Sequence, residues 1–231
     1  GRKETEANRR LTPLIVRGLI DSGLCRLVIP SELGGHETEP RVFLLVLEEL
    51  AKAEASVAWT VWNNALPSFS VAVLDKQTRT DLFGEPDRLF ANSTRPTGKA
   101  KLVEGGFRVS GRWSLVSGCE LAEWIPVMSR VIDGNGSPFV GDSAPEMRMT
   151  FIPRGSFRIL DTWYVGGLRG TGSHDIVVED VFVPNEQTYS FLDPIRLCRP
   201  LYRMPFMSTM SAGCAAICLG LAQNAIATVL E

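Results

Sequence analysis

The first residues that could hold a ligand lie where a strand pattern ends in the middle of the chain. Between residues 107 and 119, one face of the predicted strand carries Phe107, Val109, Gly111, Trp113 and Leu115. The pattern ends on the small polar pair Ser117 and Gly118. An apolar wall beside a few hydrogen-bond donors suits a flat heteroaromatic ligand. An ordinary β-barrel strand is the alternative that this stretch leaves open.

A second polar segment could meet the same ligand. Residues 92–98 read Asn-Ser-Thr-Arg-Pro-Thr-Gly, a run rich in hydroxyl groups and glycine beside another predicted strand. Both segments flank barrel strands, so we expect their donors to converge on one ligand edge. The triplet Asn92-Ser93-Thr94 has the letters of a glycosylation sequon, but nothing in the sequence marks a secreted protein.

The sequence argues against several other chemistries. His36 and His174 are the only histidines, too few for a typical histidine metal site or a Ser-His-Asp triad. The glycine-rich segment 166–172 does not match GxGxxG and no predicted helix follows it, so a Rossmann site is rejected. A net charge of −2 provides no basic surface for nucleic acid. The five cysteines form no CxxC pair, which favours reduced thiols in a cytoplasm.

The elements that must position these residues fall into three blocks. Helical periodicity dominates first, in segments 3–23, 41–55, 56–74 and 75–83. Short alternating strands follow, at 89–92, 99–103, 107–115, 124–131, 147–152, 157–160 and 175–183. The helical period then returns after Pro200 and runs to Glu231. This order predicts an α+β fold. Its parts are an N-terminal helical domain (1–87), a middle antiparallel β-barrel (88–195) and the first helix of a C-terminal helical bundle (196–231).

The last helical run is apolar and about long enough to cross a bilayer. It also contains the polar residues Ser208, Thr209, Ser211, Gln223 and Asn224, so we predict a buried helix of a larger helical domain instead. Alone, this helix would expose Met207, Met210, Ile217, Leu219, Leu221 and Ile226, a patch larger than soluble monomers tolerate. We therefore expect the chain to self-associate through residues 201–231 or to be a fragment of a longer protein.

Three motifs resemble those of the acyl-CoA dehydrogenase superfamily. Residues 23–35, GLCRLVIPSELGG, are similar to its GLFGLxVPxExGG segment, and residues 48–58, EELAKAEASVA, to its EELAxxDxSVA helix. Residues 167–184, GLRGTGSHDIVVEDVFVP, closely resemble its GxRGSGxxDVxFEDVxVP motif. The resemblance covers essentially the whole chain. It implies the helix, barrel and four-helix-bundle order of that superfamily.

Two departures favour one branch of the superfamily. Leu115 stands where the dehydrogenases carry a tryptophan, and Arg95 stands where their LTEP flavin loop carries an acid. Residues 111–119, GRWSLVSGC, instead resemble the flavin-dependent monooxygenases, which include p-hydroxyphenylacetate hydroxylases, steroid-phenol hydroxylases and dibenzothiophene monooxygenase. We therefore expect a flavin-dependent monooxygenase. An acyl-CoA dehydrogenase is the first alternative, and an inactive fragment or scaffold that binds no flavin is the second.

The resemblance also implies roles for individual residues. Ser117 takes the place of the hydroxyl residue that hydrogen-bonds flavin N5, and Thr94 that of the LTEP threonine near the pyrimidine edge. The other implied flavin contacts are Asn92, Ser93, Trp113, Ser114, Gly118 and Arg169. The implied substrate-facing residues are Trp62, Asn63 and Asn64. The acid or base of the family lies in its C-terminal bundle, so no catalytic residue is assigned, and no metal is expected.

The chemistry of this branch sets the remaining expectations. A separate flavin reductase supplies reduced FMN or FAD, which reacts with oxygen to form a C4a-hydroperoxide that oxygenates a phenol, an amine or a sulfide. The site should exclude water and donate a hydrogen bond near N5. The resemblance further implies a small aromatic or heteroatom substrate, a homotetramer for the full-length protein and a cytoplasmic location. No membrane or nucleic-acid partner is expected.

Overall fold

The chain folds into helices, a sheet and a final helix, in the predicted α+β order. The computed structural model describes residues 1–140 and 146–230. The helices before the sheet are α1 (Arg2–Asn8), α2 (Pro13–Asp21), α3 (Pro40–Ala53), α4 (Ala55–Ala65) and α5 (Lys76–Phe83). The strands are β1 (Ser93–Val103), β2 (Gly106–Val116), β3 (Trp124–Ile132), β4 (Met147–Pro153), β5 (Arg158–Leu160), β6 (His174–Pro184) and β7 (Thr188–Tyr189). The last helix, α6, spans Phe206–Leu230, and the predicted helix end at Glu231 lies outside the described residues.

The N-terminal segment 3–23 forms two helices, so the prediction of one continuous helix is wrong. Arg9 ends α1 in the left-handed region, with φ of 56°. The Thr12 side chain then accepts a hydrogen bond from the backbone N–H of Ile15 at 3.4 Å, and Pro13 occupies the first turn of α2. Proline has no N–H and its φ suits a first helical turn, so the Thr-Pro pair starts a new helix.

The predicted helix 56–74 also ends early. α4 stops at Ala65, and residues Leu66–Ala72 continue as 3-10 turns. Pro67 explains the change, because its ring removes a backbone donor and clashes with a preceding turn of α-helix. α4 itself is buried on most sides, as its uncharged sequence predicted.

The sheet differs from the predicted antiparallel β-barrel in two respects. Its seven strands follow the order β5-β6-β2-β1-β3-β4-β7 and do not close, and β3 runs parallel to β1. The parallel pair has a simple cause. β6 pairs with the edge of β2 that faces away from β1. β2 ends where β1 begins, so β3 starts at that same end and runs parallel to β1 along the free edge of β1. Residues 89–92 form only an isolated bridge from Phe90 to Trp124 instead of the predicted strand.

Two buried clusters hold the fold together. One lies inside the sheet around Trp113, Ile125 and Ile176. The other joins the helices to the far end of the sheet, where Met149 and Phe151 pack against helical residues. This second cluster includes Val61 and Trp62 of α4 and therefore joins α4 to β4.

One face of α6 packs on the preceding helices. A Cβ at Gly213 would lie 1.9 Å from Nε1 of Trp62, so glycine is needed for this approach. Ile217 is buried, so its predicted exposure is wrong. The residues that remain exposed as predicted are Met207, Leu219, Leu221 and Ile226. By length and composition α6 is the one described helix that could cross a membrane, although 22% of its most apolar window is buried inside the fold.

Candidate flavin site

The two polar segments that the sequence linked lie side by side on β1 and β2. β1 and β2 pair antiparallel from Lys99–Ser110 to Val103–Gly106, so the start of β1, which carries Thr94, lies at the same end of the hairpin as Leu115 at the end of β2. The strand pairing shifts register at both places, within residues 93–98 and within residues 113–116. Such irregularities bend a strand and re-aim side chains, and they are common beside binding sites. The two segments therefore lie at the same end of the hairpin, and their convergence on one ligand edge stays a prediction.

Leu115 leaves the apolar face on which the alternation placed it. Its φ is 59°, which is strained for leucine, and its side chain is 47% exposed. Val116 points into the sheet core instead, because the register shift moves the inward position by one residue. The result is an apolar side chain held at the surface next to Ser114 and Ser117, on the same strand end. This combination offers an apolar wall to a flat ring.

Trp113 lies beneath the site rather than in it, which corrects its predicted contact with the flavin. The side chain is fully buried, and its Nε1 donates to the carbonyl oxygen of Met128 at 2.8 Å. Gly98 and Gly111 lie against the ring, where a Cβ on Gly98 would approach to 1.9 Å. Trp113 therefore supports the strands from inside and leaves no ring face for a ligand.

Ser117 belongs to a buried chain of hydroxyl groups. Trp59 Nε1 in α4 donates to Ser117 Oγ at 2.9 Å, and Ser117 Oγ lies 2.7 Å from Ser173 Oγ. Ser173 Oγ is 2.6 Å from Thr171 Oγ1, which donates to the carbonyl oxygen of Leu168 at 2.9 Å. The chain connects α4, the end of β2 and the RGTGS segment before β6. Sequence reasoning singled out that segment as a motif but did not foresee this contact.

Gly118 fixes the turn that follows Ser117. Its φ is 77°, a conformation that favours glycine, and its N–H donates to the carbonyl oxygen of Thr171 at 2.9 Å. The next residue, Cys119, is buried, and this burial raises the pKa of its thiol to about 12. The thiol closest in sequence to Ser117 therefore stays protonated near neutral pH and is not an activated nucleophile.

Arg169 contacts the N-terminal helix α1 in this structure. Its Nε donates to the carbonyl oxygen of Glu6 in α1 at 2.9 Å and lies 3.8 Å from the Glu6 carboxylate. Its neighbours in the same motif supply the hydroxyl chain, whereas Arg169 itself ties α1 to the turn before β6. The predicted flavin contact of Arg169 has no support in this geometry.

The predicted substrate residues of α4 are used within the fold. Asn64 donates to the carbonyl oxygen of Cys25 at 2.7 Å and accepts from the Phe90 N–H at 2.8 Å, so both ends of its amide are occupied. Asn63 donates to the carbonyl oxygen of Trp59 at 2.9 Å. Trp62 is 3% exposed and lies against α6. The geometry gives these three residues structural roles and leaves their part in substrate binding a prediction.

Asn92 and Ser93 are likewise buried at the start of the sheet. Asn92 Nδ2 donates to the carbonyl oxygen of Asn63 at 2.9 Å, which ties the first polar segment to α4. Thr94 and Ser114 are half-buried and remain the polar side chains beside Leu115. Of the predicted flavin residues, the structure thus brings together Thr94, Ser114, Ser117 and Gly118 around one strand end.

An aromatic cavity that the sequence analysis missed lies beyond the C-terminal end of α4. It has a volume of about 220 Å³, and its lining includes Leu66, Phe69, Tyr189, Phe191, Tyr202 and Phe206. Tyr202 uses its hydroxyl to donate to the carbonyl oxygen of Val28 at 2.9 Å, whereas the Tyr189 hydroxyl has no partner among the described residues. Burial raises the pKa of Tyr189, so this hydroxyl keeps its proton. The dispersed aromatic residues gave no periodic signal from which this cavity could be found.

The cavity and the hydroxyl chain share α4. Trp59 contacts Ser117 from the middle of the helix, and Leu66 lines the cavity just after its C-terminal end. Seven residues of helix span roughly 10 Å. The hydroxyl chain and the cavity are therefore linked through α4. The strand end that carries Leu115, Ser114 and Thr94 offers apolar and polar side chains of the kind that fit a flat heteroaromatic cofactor.

The order of helices and strands is that of an acyl-CoA dehydrogenase-like fold, as the sequence resemblance implied. The family described as acyl-CoA dehydrogenase, N-terminal domain, matches residues 2–72. The oxygenase subunit HsaA of a flavin-dependent monooxygenase from Rhodococcus jostii is 33% identical over 96% of this chain. An indole-3-acetate monooxygenase from Pseudomonas putida is 32% identical, also over 96% of this chain.

Solved structures give the same relationship. A crystal structure of 3-HSA hydroxylase from Rhodococcus sp. RHA1 superimposes with a TM-score of 0.88 at 33% identity and covers 97% of this chain. XiaF from Streptomyces sp., in complex with FADH2 and glycerol, gives a TM-score of 0.90 at 29% identity over the whole chain. This chain spans 59% of the HsaA relative and 58% and 59% of those two solved chains.

Proposed function

We propose that this chain forms the flavin-binding part of the oxygenase component of a two-component flavin-dependent monooxygenase. The proposal rests mainly on the end of β2, where the exposed Leu115 precedes the buried Ser117 by two residues. This is the place where the dehydrogenase pattern has a tryptophan. Two relatives named above support the proposal, because HsaA is the oxygenase subunit of a flavin-dependent monooxygenase, the Pseudomonas putida protein is an indole-3-acetate monooxygenase, and both match nearly the whole chain.

The residues at this strand end suit reduced flavin. Leu115 offers an apolar contact for the isoalloxazine ring, while Thr94 and Ser114 offer polar contacts on the neighbouring strands. Bound reduced flavin would supply the electrons that activate oxygen. The chain would contribute positioning, exclusion of water through the buried α4, and fixed hydrogen-bonding groups. A separate flavin reductase would deliver the reduced FMN or FAD, which agrees with the description of HsaA as an oxygenase subunit.

The aromatic cavity supports a small aromatic substrate. Its walls are apolar rings, and the unpartnered Tyr189 hydroxyl could orient a phenol or a related ring. A cavity of this size accommodates one aromatic ring rather than a long acyl chain. We further propose that the enzyme works as a homo-oligomer, because α6 exposes an apolar face suited to helix packing. A cytoplasmic location is a separate part of the proposal.

One experiment separates this proposal from its alternatives. Purified protein is supplied with a flavin reductase, NADH, FMN or FAD and isotopically labelled oxygen, and a panel of phenols and indoles is screened by mass spectrometry. Incorporation of one labelled oxygen atom is expected. Reduction of bound FAD by an acyl-CoA, with no oxygenated product, would instead identify a dehydrogenase. Absence of any flavin binding in an absorbance titration would identify an inactive scaffold.

A further inference from the structure

An open polar cavity lies beside the start of β6, and the proposed function does not use it. Its volume is about 390 Å³, and its lining includes Arg9, Arg10, Glu120, Arg154, Asp161 and His174. These side chains come from the end of α1, the turn after β2, the ends of β4 and β5, and the first residue of β6. The fold thus gathers charged groups from distant segments around one cavity.

The imidazole of His174 has a fixed proton position. The ring is more than nine-tenths buried, with 6% of the side chain exposed. Its Nδ1 accepts from the backbone N–H groups of Thr162 and Trp163, at 3.2 and 3.3 Å. A proton on Nδ1 would leave both N–H groups without this acceptor, so neutral His174 carries its proton on Nε2.

The Nε2–H of His174 is a donor without an acceptor in the part of the chain that the structure describes. Glu120 Oε2 lies 4.0 Å from Nε2, which is beyond hydrogen-bond distance. An unsatisfied donor on a buried ring carries a free-energy cost. Because His174 lines the cavity, a ligand atom that accepts a hydrogen bond would remove that cost.

Three arginines make the cavity electropositive. Arg9 pairs with Asp161 at 2.6 Å, and Arg10 lies 3.4 Å from Glu120. Arg154 instead donates to the backbone carbonyl oxygen of Glu120 at 3.1 Å and forms no ion pair with a described residue. Three positive charges therefore meet two negative ones, and the cavity favours an anion.

Glu120 restricts which anion fits. A carboxylate only accepts hydrogen bonds, so an anion beside Glu120 must itself carry a proton, while His174 and the arginines require acceptor oxygens. Hydrogen phosphate has both kinds of atom, whereas sulfate at neutral pH has acceptors alone. We propose that this cavity binds hydrogen phosphate, either free or as the end of a small phosphate ester. His174 and Arg154 hold its oxygens, and Glu120 accepts its proton.

This site does not follow from the sequence resemblance, because the motif that residues 167–184 resemble leaves position 174 unspecified. It is also independent of flavin binding. Calorimetric titration of the purified chain with inorganic phosphate and with sulfate, in the absence of flavin, tests it. The wild-type protein should prefer phosphate by about tenfold or more. Glycerol phosphate is titrated alongside. Tighter binding than inorganic phosphate assigns the site to an ester, and weaker binding assigns it to the free ion.

Two variants separate the roles of the donor and the carboxylate. His174→Asn keeps an oxygen near the position of Nδ1 for the two backbone N–H groups but loses the Nε2 donor. It should bind phosphate about tenfold more weakly than wild type. The Glu120→Gln amide can donate as well as accept, so this variant should bind phosphate and sulfate with about equal affinity.

A pair of exposed arginines protects the test against misfolding. The Arg10 side chain is 60% exposed, so Arg10→Gln should fold normally and bind phosphate about threefold more weakly. Arg17→Gln is the matched control, because Arg17 is also 60% exposed and pairs with Asp21 away from the cavity. Equal phosphate affinity of wild type, His174→Asn and Arg10→Gln would overturn the inference, as would equal affinity of wild type for phosphate and sulfate. Either result would leave the proposed flavin function standing.

Discussion

Asn92 donates from its side-chain Nδ2 to the backbone carbonyl oxygen of Asn63 across 2.9 Å. Pro67 stands four residues after Asn63 and has no N–H, so it cannot donate the usual helical hydrogen bond to the Asn63 carbonyl oxygen. The Asn92 side chain supplies the missing donor. Both asparagines are buried, so water cannot easily serve that carbonyl. A residue at the entrance of β1 thus completes the end of α4 and fixes the sheet against the helices.

Replacing Asn92 by alanine should therefore leave a buried carbonyl without its donor. We expect Asn92→Ala to lower the free energy of unfolding by about 1–3 kcal/mol, measured by chemical denaturation. In a Pro67→Ala background, residue 67 regains an N–H, and the same substitution at Asn92 should cost less. An equal cost in both backgrounds would show that Asn92 does not act through the Asn63 carbonyl.

Gly98 is required by the ring of Trp113. A Cβ at Gly98 would lie 1.9 Å from Cζ2 of that fully buried side chain, so the strand or the ring would have to move. Gly98→Ala should lower the free energy of unfolding by about 1–3 kcal/mol, as overpacking of a core does. Gly134→Ala is the control, because no atom lies within 4 Å of its added Cβ. Equal stability of the two variants would contradict the prediction.

Periodicity in the sequence located most elements of this fold. The alternation over residues 107–115 lies within β2, and the helical run 41–55 corresponds to α3 with ends displaced by one or two residues. Periodicity missed two helix boundaries that proline sets. Pro13 starts α2 and Pro67 follows the end of α4, although the apolar pattern continues through both positions. Side-chain spacing records which face is buried, and it does not record how backbone hydrogen bonds are redirected.

Contacts between distant segments were beyond reach of the sequence. The parallel pairing of β1 with β3 depends on which strand edge is free, a property of the whole sheet. Ser117 was found through its motif, but its partner Ser173 lies 56 residues away, and nothing local links the two. The exposure of Leu115 follows from a register shift that a strict alternation cannot express. Motif resemblance thus singled out Ser117, while its hydrogen-bond partners required coordinates.

Asp75 makes the stability of α5 depend on pH. Its carboxylate accepts from the Thr78 hydroxyl at 2.6 Å and from the Thr78 N–H at 3.0 Å, and these bonds lower the pKa of Asp75. Because the pKa is lowered in the folded state, the stabilisation is fully present above the ordinary aspartate pKa of about 4. It is lost as the pH falls through the pKa of Asp75 in the folded protein. Asp75→Ala should cost about 1 kcal/mol at neutral pH.

The Asp75→Asn variant distinguishes the helix-capping effect of residue 75 from the effect of its negative charge. Asparagine is as good a helix cap as aspartate, so this variant should keep most of the stability at neutral pH. It should lose the pH dependence contributed by position 75, which thermal melts between neutral and acidic pH would measure. Identical acid sensitivity of wild type and Asp75→Asn would assign that sensitivity to other carboxylates.

The exposed face of α6 should drive self-association. Leu219 is 55% exposed and Ile226 is 61% exposed, on a helix whose side with Gly213, Ile217 and Gly220 is already packed. Leu219→Lys together with Ile226→Lys should shift the protein toward monomer in light scattering, because charged side chains oppose burial of this face. Circular dichroism should show unchanged helix content. A monodisperse wild-type monomer at high concentration would contradict the prediction.

Two tyrosines of the aromatic cavity provide a matched pair. Tyr202 spends its hydroxyl on the carbonyl oxygen of Val28, whereas the Tyr189 hydroxyl has no partner among the described residues. Tyr202→Phe should therefore lower the free energy of unfolding by about 1 kcal/mol, while Tyr189→Phe should leave it unchanged. For a phenolic ligand the order should reverse. Tyr189→Phe should raise the dissociation constant about five- to tenfold, equivalent to one lost hydrogen bond, in a calorimetric titration. Loss of stability without loss of affinity in Tyr189→Phe would remove Tyr189 from the proposed substrate site.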